Sequence, residues 1–375
     1  MTVRDLPFDA VFSDESGGNI KTPQSEYSEH GRFPVVDQGK ALIAGYVDDE
    51  ARVCGSGRPA IVFGDHTRAV KYVDFPFCMG ADGVKVLRPK IEADLKYLYY
   101  FLRQVGLPNA GYDRHFKYLK RITVTLPPLP EQRRIAAILD QADALRAKRR
   151  EALAQLDRLT QAIFTDMFGD PVRNPRQWPN AAVLGDVADI VSGVTKGRRL
   201  NGIEVRPVPY LAVANVQDKS LNLSIVKEIE ATEDEIRRYR LQKNDLLLTE
   251  GGDPDKLGRG TLWQNELPEC IHQNHIFRVR LKSDQVHPVF LNWLVGSERG
   301  KKYFLRSAKQ TTGIASINMT QLRGFPLLVP PMPLQLEFAS RLEHLASIRS
   351  GQTRALEAVD GLFASLQHRA FRGEL

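Results

Sequence analysis

At 375 residues, 42% hydrophobic and 26% charged, the chain has room for two domains with cores of their own and has the profile of a water-soluble globular protein. No apolar run nears the length of a membrane span, the opening Met1-Thr2-Val3-Arg4-Asp5 is unlike a signal peptide, and Cys54, Cys78 and Cys270 lack disulfide-framework or zinc spacing, so a reducing cytoplasm is expected. The net charge of +7, concentrated in residues 169–328, permits a polyanionic partner without requiring one.

Taken in chain order, Phe33–Val36, Pro59–Phe63 and Gly83–Leu87 read as short strands, and Asp94–Leu102 as a short apolar helix. A strand-like run, Ile122-Thr-Val-Thr-Leu-Pro-Pro-Leu-Pro130, is closed by prolines, and Pro130 suits the first turn of the long helix that follows. Gly169-Asp170-Pro171 ends that helix. At about 1.5 Å per residue it spans roughly 55 Å. The order then repeats: strands around Pro209–Val213, Asp245–Thr249 and Ile276–Arg280, a helix over His287–Val295, the run Phe325–Pro333, and a second long helix.

The repeat is sharpest in the long helices. Leu119 to Phe168 lies over Leu322 to Phe371 at a constant offset of 203 residues without a gap, matching Pro127 to Pro330, Gln132 to Gln335, Arg146 to Arg349, Asp157 to Asp360 and Phe168 to Phe371. Seven-residue spacing predicts a coiled-coil seam of Ile135, Ile138, Leu145, Leu156, Leu159 and Ile163 against Phe338, Leu345, Ile348, Val359, Leu362 and Leu366, with Arg149 and Gln352 as polar interruptions. Two domains and two matching helices imply that the helices pair, antiparallel, about a pseudo-twofold axis. The predicted fold class is therefore α+β: domains over 1–128 and 170–331, each followed by a long helix, over 129–169 and 332–375.

Leu126-Pro-Pro-Leu-Pro-Glu-Gln-Arg-Arg-Ile-Ala-Ala-Ile-Leu-Asp140 and Ala162-Ile-Phe-Thr-Asp-Met-Phe-Gly169 resemble the conserved helix of type I restriction-modification specificity subunits. Phe33–Gly39 and Gln273–Arg280 resemble strands of that family's target-recognition domains, and the order of parts agrees over nearly the whole chain. The resemblance implies a non-catalytic DNA-binding subunit whose two domains each read half of a gapped site on double-stranded DNA, held apart by a helical ruler. It implies two methyltransferase subunits and motor-nuclease subunits as partners, with S-adenosylmethionine, ATP and Mg on those partners and no cofactor on this chain. Two departures, the short stretch before Phe8 and the weakened Pro333-Leu-Gln335, put the methyltransferase contact in question. A specificity-like DNA-binding or scaffold subunit of another phage-defence complex is the alternative.

The residues carry no signature of covalent chemistry. The Pro-Pro pairs lack the preceding Asn or Asp of an amino-methyltransferase loop, no acidic cluster with a following lysine marks a nuclease, and neither a phosphate-binding Gly-Lys loop nor a zinc motif is present, so no metal is expected. DNA contacts are expected instead from loops that pair glycines or amides with cations, since phosphates take Lys and Arg while base edges take Arg, Gln, Asn and hydroxyls. In the second domain these are Ser192, Thr195, Lys196, Arg198 and Arg199, with Lys309, Gln310, Thr311, Thr312, Ser316 and Asn318. Their first-domain counterparts are Ser16, Lys21 and Gln24, with Tyr112, Arg114, His115 and Lys117. Arg237–Arg240 is expected to pair with Glu233–Glu235 along a helix, and Arg146–Arg150 to lie near DNA phosphates.

Overall fold

A computed structural model describes residues 3–54, 58–108, 113–180, 182–200, 202, 204–252, 257–311 and 314–375. They form two compact units, Met1–Ala152 with Gln352–Leu375, and Leu153–Gly351.

Both units build the same pair of sheets. In the first, a four-stranded antiparallel sheet has the order Phe12–Asp14, Val84–Pro89, Ala60–Gly64, Val70–Val73. In the second the order is Ala188–Ser192, Ile276–Leu281, Leu246–Thr249, Gly260–Leu262. A three-stranded mixed sheet accompanies each: Gly45–Val47, Phe33–Val36 and Cys78–Met79 in the first, Lys227–Ala231, Arg206–Leu211 and Ile271–His272 in the second. The uninterrupted apolar runs of the central strands follow from burial on both faces. Ile61 and Phe63 face a core shared with helix Leu95–Gln104, while Ala60 and Val62 face a second core with Val36, Phe77 and Met79. Leu246 and Leu248 likewise face helix Pro288–Val295, and Leu247 packs with Leu211 and Trp263.

The long helices run Leu129–Phe168 and Met332–Ala370, and each unit contains a part of both. In the first unit they pair antiparallel: Arg149 donates to Gln352 Oε1 (2.7 Å) and Arg146 to Asp360 Oδ1 (2.5 Å). Tyr100 and Tyr97 of the short helix close on Phe363 and Phe371, with ring centroids 6.1 and 5.4 Å apart. The second unit pairs them the same way, Phe338 meeting Phe164 and Phe168 (5.6 and 5.3 Å) and Arg349 bridging Asp157 (3.2 Å).

One part of the predicted seam is corrected. Ile135, Leu156, Ile163, Phe338, Leu345, Val359 and Leu366 are buried or half-buried, but Leu145, Leu159, Ile348 and Leu362 are 39%, 44%, 39% and 51% exposed, and Ile138 is half-buried on the same flank. The seam continues four residues on from each first position, not three, through Leu139, Arg146 and Met167, and through Leu342 and Phe363. A heptad offers both spacings, and apolar character favoured Leu145 over its neighbour Arg146. Arg146 nonetheless sits inside because Phe363 takes its guanidinium (4.3 Å) and Asp143 and Asp360 neutralise it. The expectation that Arg146–Arg150 lies near DNA phosphates is corrected for two of these residues: half-buried Arg146 and Arg149 are committed to the helix pair, whereas Lys148 is exposed and Arg150, though paired with Asp360, is 52% exposed.

Gln132 and Gln335 explain the Pro-Pro-x-Pro-x-Gln repeat. Gln132 accepts from Asp94 N (2.9 Å) and donates to Pro127 O (2.8 Å), while Gln335 accepts from His287 N (2.8 Å) and donates to Pro330 O (2.8 Å) and Gln285 O (3.0 Å). Each buried amide thereby joins the start of a long helix to the N-terminal cap of the short helix of its own domain. Replacing Gln335 by leucine leaves the His287 N–H and the Pro330 and Gln285 carbonyls without this partner, so Gln335→Leu is expected to cost the second unit roughly 2–5 kcal/mol in urea unfolding. A loss below about 1 kcal/mol would show that water takes the amide's place.

Candidate nucleic-acid interface

In the second unit, four segments converge at one end of the four-stranded sheet. Val194 N donates to His272 O (2.8 Å), Asn274 N to Val194 O (2.9 Å), Glu250 N to His275 O (3.0 Å) and Ile317 N to Glu250 O (2.9 Å). Gly251 pairs with Ser316, and Lys309–Thr311 pairs in turn with Ile314–Ser316. The two stretches singled out in the sequence, 192–199 and 309–318, thus share one edge. Gly193 presses on the His272 carbonyl so closely that any Cβ would overlap it, which is why glycine stands there.

The first unit repeats three of these four bonds: Thr22 N to Met79 O (2.9 Å), Asp65 N to Gly83 O (2.7 Å) and His115 N to Asp65 O (2.8 Å). Segments 15–22, 65–68, 79–83 and 113–117 are gathered there, and Asp65 Oδ1 also accepts from Phe116 N (2.7 Å).

Within this frame the candidate side chains divide. Thr195, Lys196 and Arg199 are exposed, Lys196 lying over the Tyr210 ring (5.0 Å). Arg198 is engaged internally. It grips both carboxylate oxygens of Glu235 (2.5 and 2.7 Å) and the carbonyls of Glu230 and Thr195, fastening the loop to helix Glu233–Tyr239 and holding the Glu235 carboxyl below its usual range. Within that helix Arg237 pairs with Asp234 (3.4 Å), whereas Glu233 and Glu235 are taken by Arg206 and Arg198. Ser192 Oγ donates to Asn274 O, Ser316 is half-buried in its strand, and Asn318 caps helix Met319–Arg323 by accepting from Gln321 N (2.9 Å).

In the first unit Gln24 and Arg114 are exposed. Lys21 pairs with Asp82, and Lys117 with Asp113 (2.7 Å), whose carboxyl that bond lowers to about 2. Ser16 Oγ donates to Asp14 and accepts from Val86 N (2.8 Å), and His115 is buried with Nδ1 3.0 Å from Asp65 O. Tyr112 and Thr312 lie outside the described residues, as do the side chains of Lys309, Gln310 and Thr311.

The cluster also contains residues that the sequence did not single out as site residues. His275 Nδ1 meets Glu250 Oε2 (2.5 Å) at the exposed edge, beside Asn274. In the first unit buried Lys71 donates to Asp37 O (2.7 Å), anchoring the turn that carries Gln38, whose Oε1 accepts from His66 N (3.2 Å). Burial lowers the Lys71 pKa, with Asp37 working against it. Their only sequence signal was the pair of strand motifs, Phe33–Gly39 and Gln273–Arg280, whose ends are these turns.

A family model for the type I restriction modification DNA specificity domain matches residues 18–156 and again 180–358. The chain belongs to that family. It is a specificity subunit of the type I restriction-modification kind, with two tandem recognition domains. It is 27% identical over 318 residues to the type I restriction enzyme StySPI specificity subunit of Salmonella potsdam, covering 80% of this chain and 68% of that one. To the EcoR124I/EcoR124II specificity subunit of Escherichia coli it is 23% identical over 373 residues, covering 94% and 88%. The crystal structure of the S subunit of a type I restriction-modification system from M. genitalium superimposes with a TM-score of 0.59 at 15% identity, over 99% of this chain and 96% of that one, and so shares the fold. Among the described residues no helix is long and apolar enough to cross a membrane.

Beneath this edge of the second unit, His272 is fully buried with Nδ1 3.0 Å from Ile276 O. Burial holds its pKa down to about 4, and Arg278 and Arg280 push the same way. The unfolded chain protonates this ring near the ordinary 6.5, so the folded state binds fewer protons between the two values and loses stability as pH falls through that window. A loss on the order of 3 kcal/mol is expected for the second unit between pH 6.5 and 4, and His272→Asn should flatten it. Melting curves of both proteins across this range check it; equal slopes would show that other groups set the acid sensitivity.

Proposed function

We propose that this subunit reads a two-part, gapped sequence on double-stranded DNA, one half through each loop cluster, for methyltransferase and motor-nuclease subunits that carry S-adenosylmethionine, ATP and Mg. The observation that carries this reading is the duplicated loop cluster: three matching backbone hydrogen bonds hold two edges whose side chains differ. A common scaffold with divergent edges suits two unlike half-sites, because phosphate contacts fix register while base-edge contacts carry sequence. Lys196, Arg199 and His275 face outward on the second edge, and Gln24 and Arg114 on the first.

The long helices act as the ruler. Each runs unbroken from the recognition domain that precedes it, so the separation of the half-sites follows helix length. The flank left exposed by the corrected seam presents Leu145 and Leu362 in the first unit and Leu159 and Ile348 in the second, related by the repeat. We assign one of these pairs to the docking of each of two methyltransferase subunits.

The test is a map of modified adenines in cells carrying this protein with its methyltransferase, beside cells lacking only this protein. A two-part gapped motif that vanishes in the deletion is the expected result. An unchanged map would remove the specificity role.

A further inference from the structure

One contrast between the two edges falls on matched backbone positions. In the first unit Asp65 N donates to Gly83 O and Asp65 O accepts from His115 N; in the second, Glu250 N donates to His275 O and Glu250 O accepts from Ile317 N. Glu250 therefore stands at the place of Asp65, and His275 at the place of Gly83. The Asp65 carboxylate is turned inward, buried, with Oδ1 accepting from Phe116 N (2.7 Å). Gly83 has φ +88° and no side chain, and a Cβ there would stand 2.7 Å from Gln38 Oε1. The second unit puts a carboxylate and an imidazole at these two positions instead, with the His275 side chain 56% and the Glu250 side chain 34% exposed.

The contact between the two side chains sets their chemistry. A carboxylate only accepts, so the proton between Glu250 Oε2 and His275 Nδ1 (2.5 Å) belongs to the ring, and in the neutral imidazole Nε2 is then the acceptor. The Asn274 amide nitrogen faces Nε2 at 3.5 Å, an approach that suits a neutral ring and that a cationic one would repel. That distance is the outer limit of a hydrogen bond, so the Nε2 lone pair stays available to a stronger donor. The backbone beneath is pinned. Both polar groups of Glu250 are bonded, Asn274 N is held by Val194 O (2.9 Å), and Gly251 pairs with Ser316. The exposed cations Lys196 and Arg199 follow Val194 in the same loop.

We propose that His275, aimed by Glu250, is a base-reading residue for the second half-site and accepts through Nε2 from the exocyclic amino group of a cytosine or an adenine. Those amino groups are the hydrogen-bond donors of the major groove; guanine and thymine present the acceptors O6, N7 and O4, which would meet the Nε2 lone pair with lone pairs of their own. Phosphate oxygens offer no donor either, so this residue is suited to a base where Lys196 and Arg199 are suited to the backbone. Glu250 is a positioning residue: its carboxylate holds the ring in the tautomer that accepts. A glutamine there can donate to Nδ1, and the ring would then carry its proton on Nε2 and pair with an acceptor. The inference rests on the DNA reading proposed above and adds the chemical group that is read at one position.

The test uses the full subunit in complex with its methyltransferase, and the adenine-modification map of the parent supplies the motif. Competition binding compares a duplex carrying that motif with duplexes in which each base pair of the second half-site is inverted in turn. Inversion replaces an amino group by acceptors, and the base that the parent demands at the sensitive position tells cytosine from adenine. His275→Phe and His275→Ala are each expected to lose roughly tenfold discrimination at that one position, with every other position of both half-sites unchanged. Glu250→Gln should turn the preference there toward the inverted pair, which a loss of packing would not do. Melting curves check that the variants fold. Equal loss of affinity for all duplexes would make His275 a backbone contact, and unaltered discrimination would make the pair a surface contact only; either result overturns the proposal. A parent map without a gapped motif would instead overturn the DNA reading, and this inference with it.

Discussion

Removing one heptad from each long helix, residues 150–156 together with 353–359, is expected to shorten the gap in the recognised sequence by about three base pairs while leaving both half-sites unchanged. Seven residues of helix are about 10 Å, and base pairs stack roughly 3.4 Å apart. The paired deletion keeps the seam in phase, because the heptad is the unit in which its positions recur. Deleting from one helix alone should instead break the pairing, since Arg149 would part from Gln352 or Asp157 from Arg349. The adenine-modification map reads both outcomes. A gap of unchanged length in the paired deletion would separate DNA recognition from the ruler and leave the helices a purely structural role.

Neutralising the open cations of the second recognition edge should be nearly as severe. Lys196→Ala/Arg199→Ala is expected to weaken DNA binding roughly ten- to hundredfold and to reduce the slope of log affinity against log salt by about 2, one for each phosphate that is no longer neutralised. The exposure of both side chains beside the half-buried, carboxylate-bound Arg198 is the basis for this choice. Arg198→Ala makes the contrast: it should loosen the loop from helix Glu233–Tyr239 and lower the stability of the second unit, with a smaller change in salt slope. Fluorescence anisotropy across a salt series measures all three proteins. An unaltered slope in the double variant would place the DNA on another face of the domain.

These effects trace back to residues of unequal legibility. The duplication, the two long helices and several strands, such as those at Ala60–Gly64 and Leu246–Thr249, were readable because they rest on local rules: proline stops, helical period and short apolar runs; their pairing into two sheets per unit was not. The two stretches singled out by local patterning, 192–199 and 309–318, meet at one edge of the second unit.

What the sequence could not decide was what each polar side chain does once the chain has folded. Arg198 and Arg199 are adjacent and chemically identical, yet one is spent on Glu235, 37 residues away, and the other faces solvent. Leu145 and Arg146 are adjacent too, and the arginine took the seam because Asp360 and Phe363 arrive from the far end of the chain. Composition and period determined the architecture of this protein, since hydrophobic burial depends on pattern more than on partner identity. Only the tertiary structure assigned the charges, because an ion pair or buried hydrogen bond depends on distance and direction between residues that the sequence keeps far apart.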